Sequence, residues 1–285
     1  MKTYSERPGE ERTRRIACPL CRVDTSRRFL EGEGYGFVRC ARCGLVFQNP
    51  QPVFEDLRGR YAENYFQYEL ENEANFFNLM RLGLRDIRLD ELSSAFPTPR
   101  RFLDVGCATG MLLADLRERG WEVQGVELCR QSAEYGIRSR ALDIRIGTLE
   151  EAALPEASFH VVHFSHLIEH VPDPWGLLRE VHRLLVDGGY VVVTTPNIAG
   201  FQARLFRERW RSAIADHLTL FSKRTLRQML AATGYRSLRL RTWGGLAKGA
   251  APPWLKRPLD ALAKRLGFGD VVLVLADKHS SVPAP

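Results

Sequence analysis

The chain has 285 residues, 45% hydrophobic and 26% charged, enough for one sizeable core with a smaller appendage or for two modest domains. No apolar run reaches the roughly 18 residues of a membrane span. The opening MKTYSERPGEERTRR has no apolar core behind its charges, so no secretory signal is expected and the reading is a cytoplasmic protein. Lys and Arg number 41 against 34 Asp and Glu, a diffuse +7 that selects no partner by itself.

Residues 1–15 are expected to be a flexible N-terminus and residues 16–52 a zinc ribbon. Cys18 and Cys21 form one CxxC pair and Cys40 and Cys43 a second, with 18 residues between the pairs. Two residues between paired cysteines let one tight turn aim both sulfurs at a single ion, and two such turns complete a tetrahedron. Gly44 suits the left-handed bend after the second pair, and FLEGEGYGFVRC reads as a short hairpin. So small a segment has little core of its own, and zinc can supply ~10–16 kcal/mol to such modules. All four ligands are spent, so this zinc is expected to be structural.

Residues 53–98 read as a helical linker and active-site cap. The aromatics Tyr61, Tyr65 and Phe66 either pack the ribbon onto the next domain or cover a ligand pocket. From about residue 75 apolar residues recur at helical intervals, and Pro97 and Pro99 end the pattern. Across residues 99–279 strands and helices then alternate. RFLDV, WEVQGVE, ALDIRIG, FHVVHFS and YVVVTTP read as strands, with helices over 110–119, from about 130, and over 175–186. The fold class is therefore α/β, a parallel sheet covered on both faces, with its ligand at the carboxyl ends of the strands.

At those ends Asp104 closes the first strand, and Gly106 and Gly110 flank a turn that permits close backbone approach. Glu127 closes the second strand, where an acid can accept both hydroxyls of a ribose. The glycines of DVGCATG do not match the GxGxxG of a dinucleotide site, and Asp104 would repel a pyrophosphate. An acid there suits a cationic amino-acid end, which points to S-adenosylmethionine (SAM).

With FLDVGCATG, GVE and SHLIEHVPDPWGLLREVHRLLVDGGYVVVTTPN in place, the sequence resembles the class I SAM-dependent methyltransferases over nearly its whole length. Its CPLC…VRCARCGLVFQNPQP…RYAENYF resembles the cysteine-paired leader of many small-molecule members. The resemblance implies a Rossmann-like seven-stranded sheet whose last strand, GDVVLVLADK, runs antiparallel. It further implies that Asp104, Gly106 and Gly110 hold the methionine part and Glu127 the ribose, with Cys107 also lining the cofactor. Leu128 would lie beside the adenine, Thr148 and Leu149 stand where the family often has an acid for the adenine amine, and Ser165 completes the cofactor set.

Methyl transfer needs alignment and, for a weak nucleophile, proton removal. His166, Glu169 and His170 in HFSHLIEH share one face if that segment is helical. His170 is the first candidate for the base. Ubiquinone-pathway O-methyltransferases have a related E-x-x-E-H run that holds a divalent cation; here the first acid is His166, which argues against magnesium. His217 in HLTLFS is a second base or a substrate contact, and Ser222 is a helix cap.

Residues 244–269 carry an apolar stripe with basic flanks, read as a lid over the substrate or as an amphipathic insertion touching a membrane surface. The expected substrate is a small molecule methylated on oxygen. An RNA methyltransferase is the rival, disfavoured because no N/D-P-P-Y/F motif is present; a non-catalytic SAM- or zinc-dependent binding protein is another.

Overall fold

The computed structural model describes residues 11–32, 34–59, 63–244 and 267–279, the side chains of residues 63–65 excepted. Tyr61, the Tyr65 side chain and most of the 244–269 insertion lie outside the described residues.

β1 (Thr13–Arg14), within the stretch expected to be flexible, pairs antiparallel with β5 (Gln51–Pro52). β2 (Ser26–Gly32) and β3 (Tyr35–Cys40) make the hairpin between the cysteine pairs, and β4 (Val46–Gln48) adds to β3. Gly44 has φ 77°, the left-handed bend that lets the chain double back after the second pair. The fourth strand of this small sheet comes from far along the chain, at Thr219–Leu220.

α1 (Phe54–Arg58) and the long α2 (Glu63–Asp86) follow. α2 starts well before residue 75, because Glu69 and Glu73 on it bond to the domain below and make its acid-rich first half helical. It ends ahead of Pro97 and Pro99, where Arg88 turns left-handed (φ 54°) into α3 (Leu89–Ser93).

The main sheet comprises β6 (Arg100–Val105), β7 (Trp121–Glu127), β8 (Ile144–Ile146), β9 (Phe159–Ser165) and β10 (Leu185–Pro196). α4 (Met111–Glu118), α5 (Arg130–Arg140) and α6 (Pro174–Leu184) connect them. After β10 come α7 (Phe201–Phe206), β11 (Thr219–Leu220), α8 (Lys223–Ala232), β12 (Tyr235–Trp243) and β13 (Val271–Lys278). The order is β12-β13-β10-β9-β6-β7-β8, parallel throughout except β13, which is antiparallel to both neighbours. α6 stops two residues short of its expected end because Leu185 already belongs to β10.

Side chains alternate between two core layers, as the pleat requires. Phe102, Val161, Val192 and Leu273 meet Leu112, Leu116 and Ile87 on one face. Leu103, Val162, Val191 and Val193 meet Leu178, Leu226 and Met229 on the other, where Cys18, Leu20, Leu45 and Phe47 of the ribbon join the same core.

Candidate active site

β6 leaves the sheet through Gly106 (φ 72°), Ala108 (φ 51°) and Gly110 (φ 76°) into α4. Gly106 is exposed, whereas a Cβ at Gly110 would run into Leu142 Cδ1 and its positive φ disfavours any side chain. Glu127 lies beside this turn at the end of β7. Its Oε2 accepts from Ala108 N at 2.8 Å and its Oε1 from Cys129 N at 2.7 Å. Burial pushes its carboxyl up, and the N–H groups of Cys129 and Ala108 pull it back. Each oxygen keeps a second lone pair, the arrangement a ribose diol needs.

Asp104, expected to hold the methionine part, is buried at the end of β6. Its Oδ1 shares a 2.7 Å hydrogen bond with His163 Nδ1, and both side chains are closed off from solvent. Burial raises the Asp104 carboxyl, with His163 opposing. Cys107 is buried, its thiol raised by that burial, and Leu128 is half-buried next to Glu127. Ser165 ends β9 in register with Thr194. After β8, Leu149 is buried, and Thr148 N donates to Glu151 Oε2 at 2.9 Å. The other Glu151 oxygen accepts from Arg58 Nη1 at 2.7 Å. α2 is fastened over the turn: Glu73 accepts from Thr109 and from Arg140 (2.8 Å), Ser132 donates to Glu69, and Phe66 packs on Tyr135 at 5.9 Å.

Past β9 the chain does not enter a helix. His166 adopts φ 55°, a left-handed conformation uncommon for residues with a β-carbon, and turns the chain out of β9. Its Nδ1 bonds Glu169 Oε1 at 3.1 Å, while Thr195 Oγ1 donates to Glu169 Oε2 at 2.8 Å. Burial would raise the Glu169 carboxyl, but the His166 bond and the positive potential of His166, His170 and His217 hold it at about 2. The single face expected for residues 166, 169 and 170 is therefore corrected. His170 turns away from His166 and stands edge-to-face on His217, ring centroids 4.6 Å apart.

His170 Nδ1 lies 3.0 Å from Asp216 O, and His217 Nδ1 lies 2.8 Å from Ser212 O. A carbonyl only accepts, so each Nδ1 carries the hydrogen and each Nε2 keeps a lone pair when the ring is neutral. Burial, aided by His170, lowers His217 to about 3, so it is uncharged at neutral pH. Donor atoms of Glu169, His170 and His217 lie within 4.8 Å of one another, so that His217, not His166, joins His170 and Glu169 in a carboxylate and two-imidazole cluster.

The four ribbon sulfurs also converge. Cys18 Sγ is 3.4 Å from Cys43 Sγ, Cys21 Sγ is 3.5 Å from Cys40 Sγ, and all four lie within 4.8 Å. Tetrahedral zinc with bonds of ~2.3 Å places sulfurs roughly 3.8 Å apart, so the donor set fits that ion. Burial raises the Cys40 thiol, but the N–H groups of Cys43 and Arg42 outweigh it and bring it to about 7.

Four residues at or near the site escaped the sequence reading. His163 is a polar residue inside an apolar strand, which is a visible signal, yet its partner is set by the β6–β9 register. Thr195 holds Glu169, and Gln48 donates to the backbone at residues 215 and 217. Asp270, buried beside Asn197 with its carboxyl raised to about 6 by that burial, has Arg211 3.9 Å away.

A mixed seven-stranded sheet with an antiparallel β13, and a glycine turn facing an acid at the end of the second strand, define the fold as that of the class I SAM-dependent methyltransferases. The profile described as a methyltransferase domain matches residues 78–240, and the chain belongs to that family. Ubiquinone biosynthesis O-methyltransferase of Xanthomonas oryzae pv. oryzae is 32% identical over 122 residues, 40% of this chain and 51% of that protein. The protein of the same name from Idiomarina loihiensis is 34% identical over 126 residues, 42% of this chain and 50% of that one. The chain thus spans about half the length of these curated relatives. A SAM-dependent methyltransferase structure from Archaeoglobus fulgidus superposes with TM-score 0.54 at 20% identity, covering 75% of this chain and 99% of that one. One from Thermotoga maritima gives 0.54 at 20% identity, covering 76% and 100%. Among the described residues no helix is long and apolar enough to cross a membrane.

Proposed function

We propose that the protein methylates a hydroxyl oxygen of a small-molecule acceptor, using SAM bound at the Gly106–Gly110 turn and Glu127, with a structural zinc in the ribbon. The observation that carries the oxygen assignment is the His170–His217 pair, two imidazoles whose Nδ1 atoms are held by backbone carbonyls. The names of the curated relatives point the same way.

SAM supplies a sulfonium methyl; the acceptor oxygen forms the new C–O bond as the S–CH3 electron pair stays on sulfur. The chain's own work is to hold and deprotonate. Glu127 accepts hydroxyl hydrogens, and the exposed Gly106 leaves its turn open to a ligand. The hydroxyl proton passes to an imidazole Nε2, with His170, the less buried ring, as the base and His217 fixing its orientation. Glu169, ionised with a carboxylate oxygen within 4.8 Å of a donor nitrogen of each ring, stabilises the imidazolium that results. Cys18, Cys21, Cys40 and Cys43 would hold the zinc, with no ligand position left open. We read the protein as cytoplasmic, with a zinc ribbon over residues 16–52, a helical cap over residues 53–98 and the methyltransferase domain over residues 99–279.

The test is incubation with methyl-labelled SAM and a cell lysate, followed by separation of small molecules, lipids, RNA and protein. Label in small molecules or lipids is expected. Label in RNA would overturn the reading and make the ribbon a nucleic-acid docking surface.

A further inference from the structure

We propose that Gln48 of the ribbon is a positioning residue for the acceptor side of the site, fixing the strap of residues 212–220 that carries His217. The proposal rests on the reading of His170 and His217 as the proton-accepting pair.

The ribbon is not merely attached beside the methyltransferase domain. β11 completes its sheet, with Thr219 paired to Phe47 and Leu220 to Val46. Gln48, 2% exposed, follows these residues on β4. Its backbone N donates to Leu218 O at 2.8 Å, and its side-chain Nε2 donates to both Ala215 O and His217 O at 2.7 Å. Tyr35 adds a hydroxyl bond to Ala213 O. From the opposite side, Leu218 N and Thr219 N donate to Glu169 O at 2.7 and 3.1 Å. The strap is therefore clamped between the ribbon and the turn bearing Glu169 and His170. Within that clamp, Ser212 O receives His217 Nδ1 and Asp216 O receives His170 Nδ1. Both imidazoles thus take their tautomer and aim from carbonyls of the one segment the ribbon holds.

An amide with two N–H donors on two carbonyls is a demanding fit. Glutamate has the same shape, but its carboxylate would set oxygen against oxygen. The ribbon has other anchorage: Phe47 and Leu45 in the main core, the β4–β11 ladder, and Arg224 Nη2 on Cys43 O at 2.6 Å. Losing the Gln48 donors therefore loosens the strap more than the ribbon. The glycine turn is bonded elsewhere, to Val126, Glu127, Glu73 and Arg140, so SAM binding stays out of reach of the change.

The experiment uses the full zinc-loaded chain with Gln48→Glu and, as a second and milder variant, Tyr35→Phe. Four quantities are read: SAM affinity by calorimetry, amide exchange over residues 212–220, the ¹⁵N pattern of the His217 imidazole, and label transfer from SAM into the lysate small-molecule fraction. For Gln48→Glu, SAM affinity is expected within about twofold of the native chain. Exchange should rise and label transfer fall by about tenfold each, roughly what one or two buried hydrogen bonds contribute. The His217 ring should lose its pure Nδ1–H tautomer, and Tyr35→Phe should move the same readings less. Unchanged exchange and tautomer with intact SAM binding would overturn the proposal. Loss of SAM binding along with the rest would overturn it too, making Gln48 part of the general framework. Full label transfer by His170→Ala would instead remove the base reading, leaving exchange and tautomer to decide the positioning role.

Discussion

Glu127 serves two masters, tying the glycine turn to the start of α5 while keeping lone pairs for a ligand. Charge-assisted hydrogen bonds contribute about 1.5–3 kcal/mol each, so Glu127→Ala should weaken SAM by roughly 10- to 100-fold while the far-ultraviolet circular dichroism stays native. Normal calorimetric affinity in that variant would put the ribose elsewhere. His217 gives a pH prediction. Its free value is 6.5 and its folded value about 3, so between these the unfolded chain binds a proton that the native chain refuses. Stability is then lost as pH falls below 6.5, at up to about 1.4 kcal/mol per unit. Glu169, lowered from 4.5 to about 2, adds a loss of the same sign further down. His217→Gln should flatten the denaturation midpoint between pH 6.5 and 5; an unaltered slope would show that His217 is not the buried neutral group. At this scale the glycines and Glu127 were legible because their spacing is local to one β-turn-α-β unit. The His170–His217 and Asp104–His163 pairs were not, since each joins residues some 50 positions apart through tertiary register alone.

The cysteine knuckles could be read from spacing, and the ribbon's hairpin from its glycines, because both are short-range devices. β11 could not: a two-residue strand has no periodicity, and its partner lies about 170 residues upstream. α2 shows the opposite failure. Its first half is acid-rich and weakly patterned, and becomes helical through Glu69 and Glu73 against Ser132, Thr109 and Arg140. Shared packing makes a thermodynamic prediction about elements. Cys18, Cys40, Leu45 and Phe47 sit in one core with Phe164, Leu178 and Leu226. Cys40→Ser, or zinc removal by a chelator, should therefore lower the midpoint of a single calorimetric transition by several degrees. Two resolved transitions would mean that the ribbon folds as a separate unit.

Taken as one object, the molecule is a seven-stranded sheet whose parallel strands were legible from alternating strand and helix patterns, with an N-terminal piece sharing its core. The antiparallel β13 was legible only through family resemblance, because a buried apolar strand reads the same in either direction. That sharing has a consequence for synthesis. β4 is in place as a strand edge when residue 48 has been made, but its partner β11 arrives only after residue 220. At about 5–20 residues per second the gap is on the order of 10–30 s. For that interval the nascent ribbon carries an unpaired edge, the kind of surface that templates wrong pairings. Early metal capture at the four cysteines would hold its hairpin in shape until the rest of the chain emerges, making zinc supply during translation a determinant of yield.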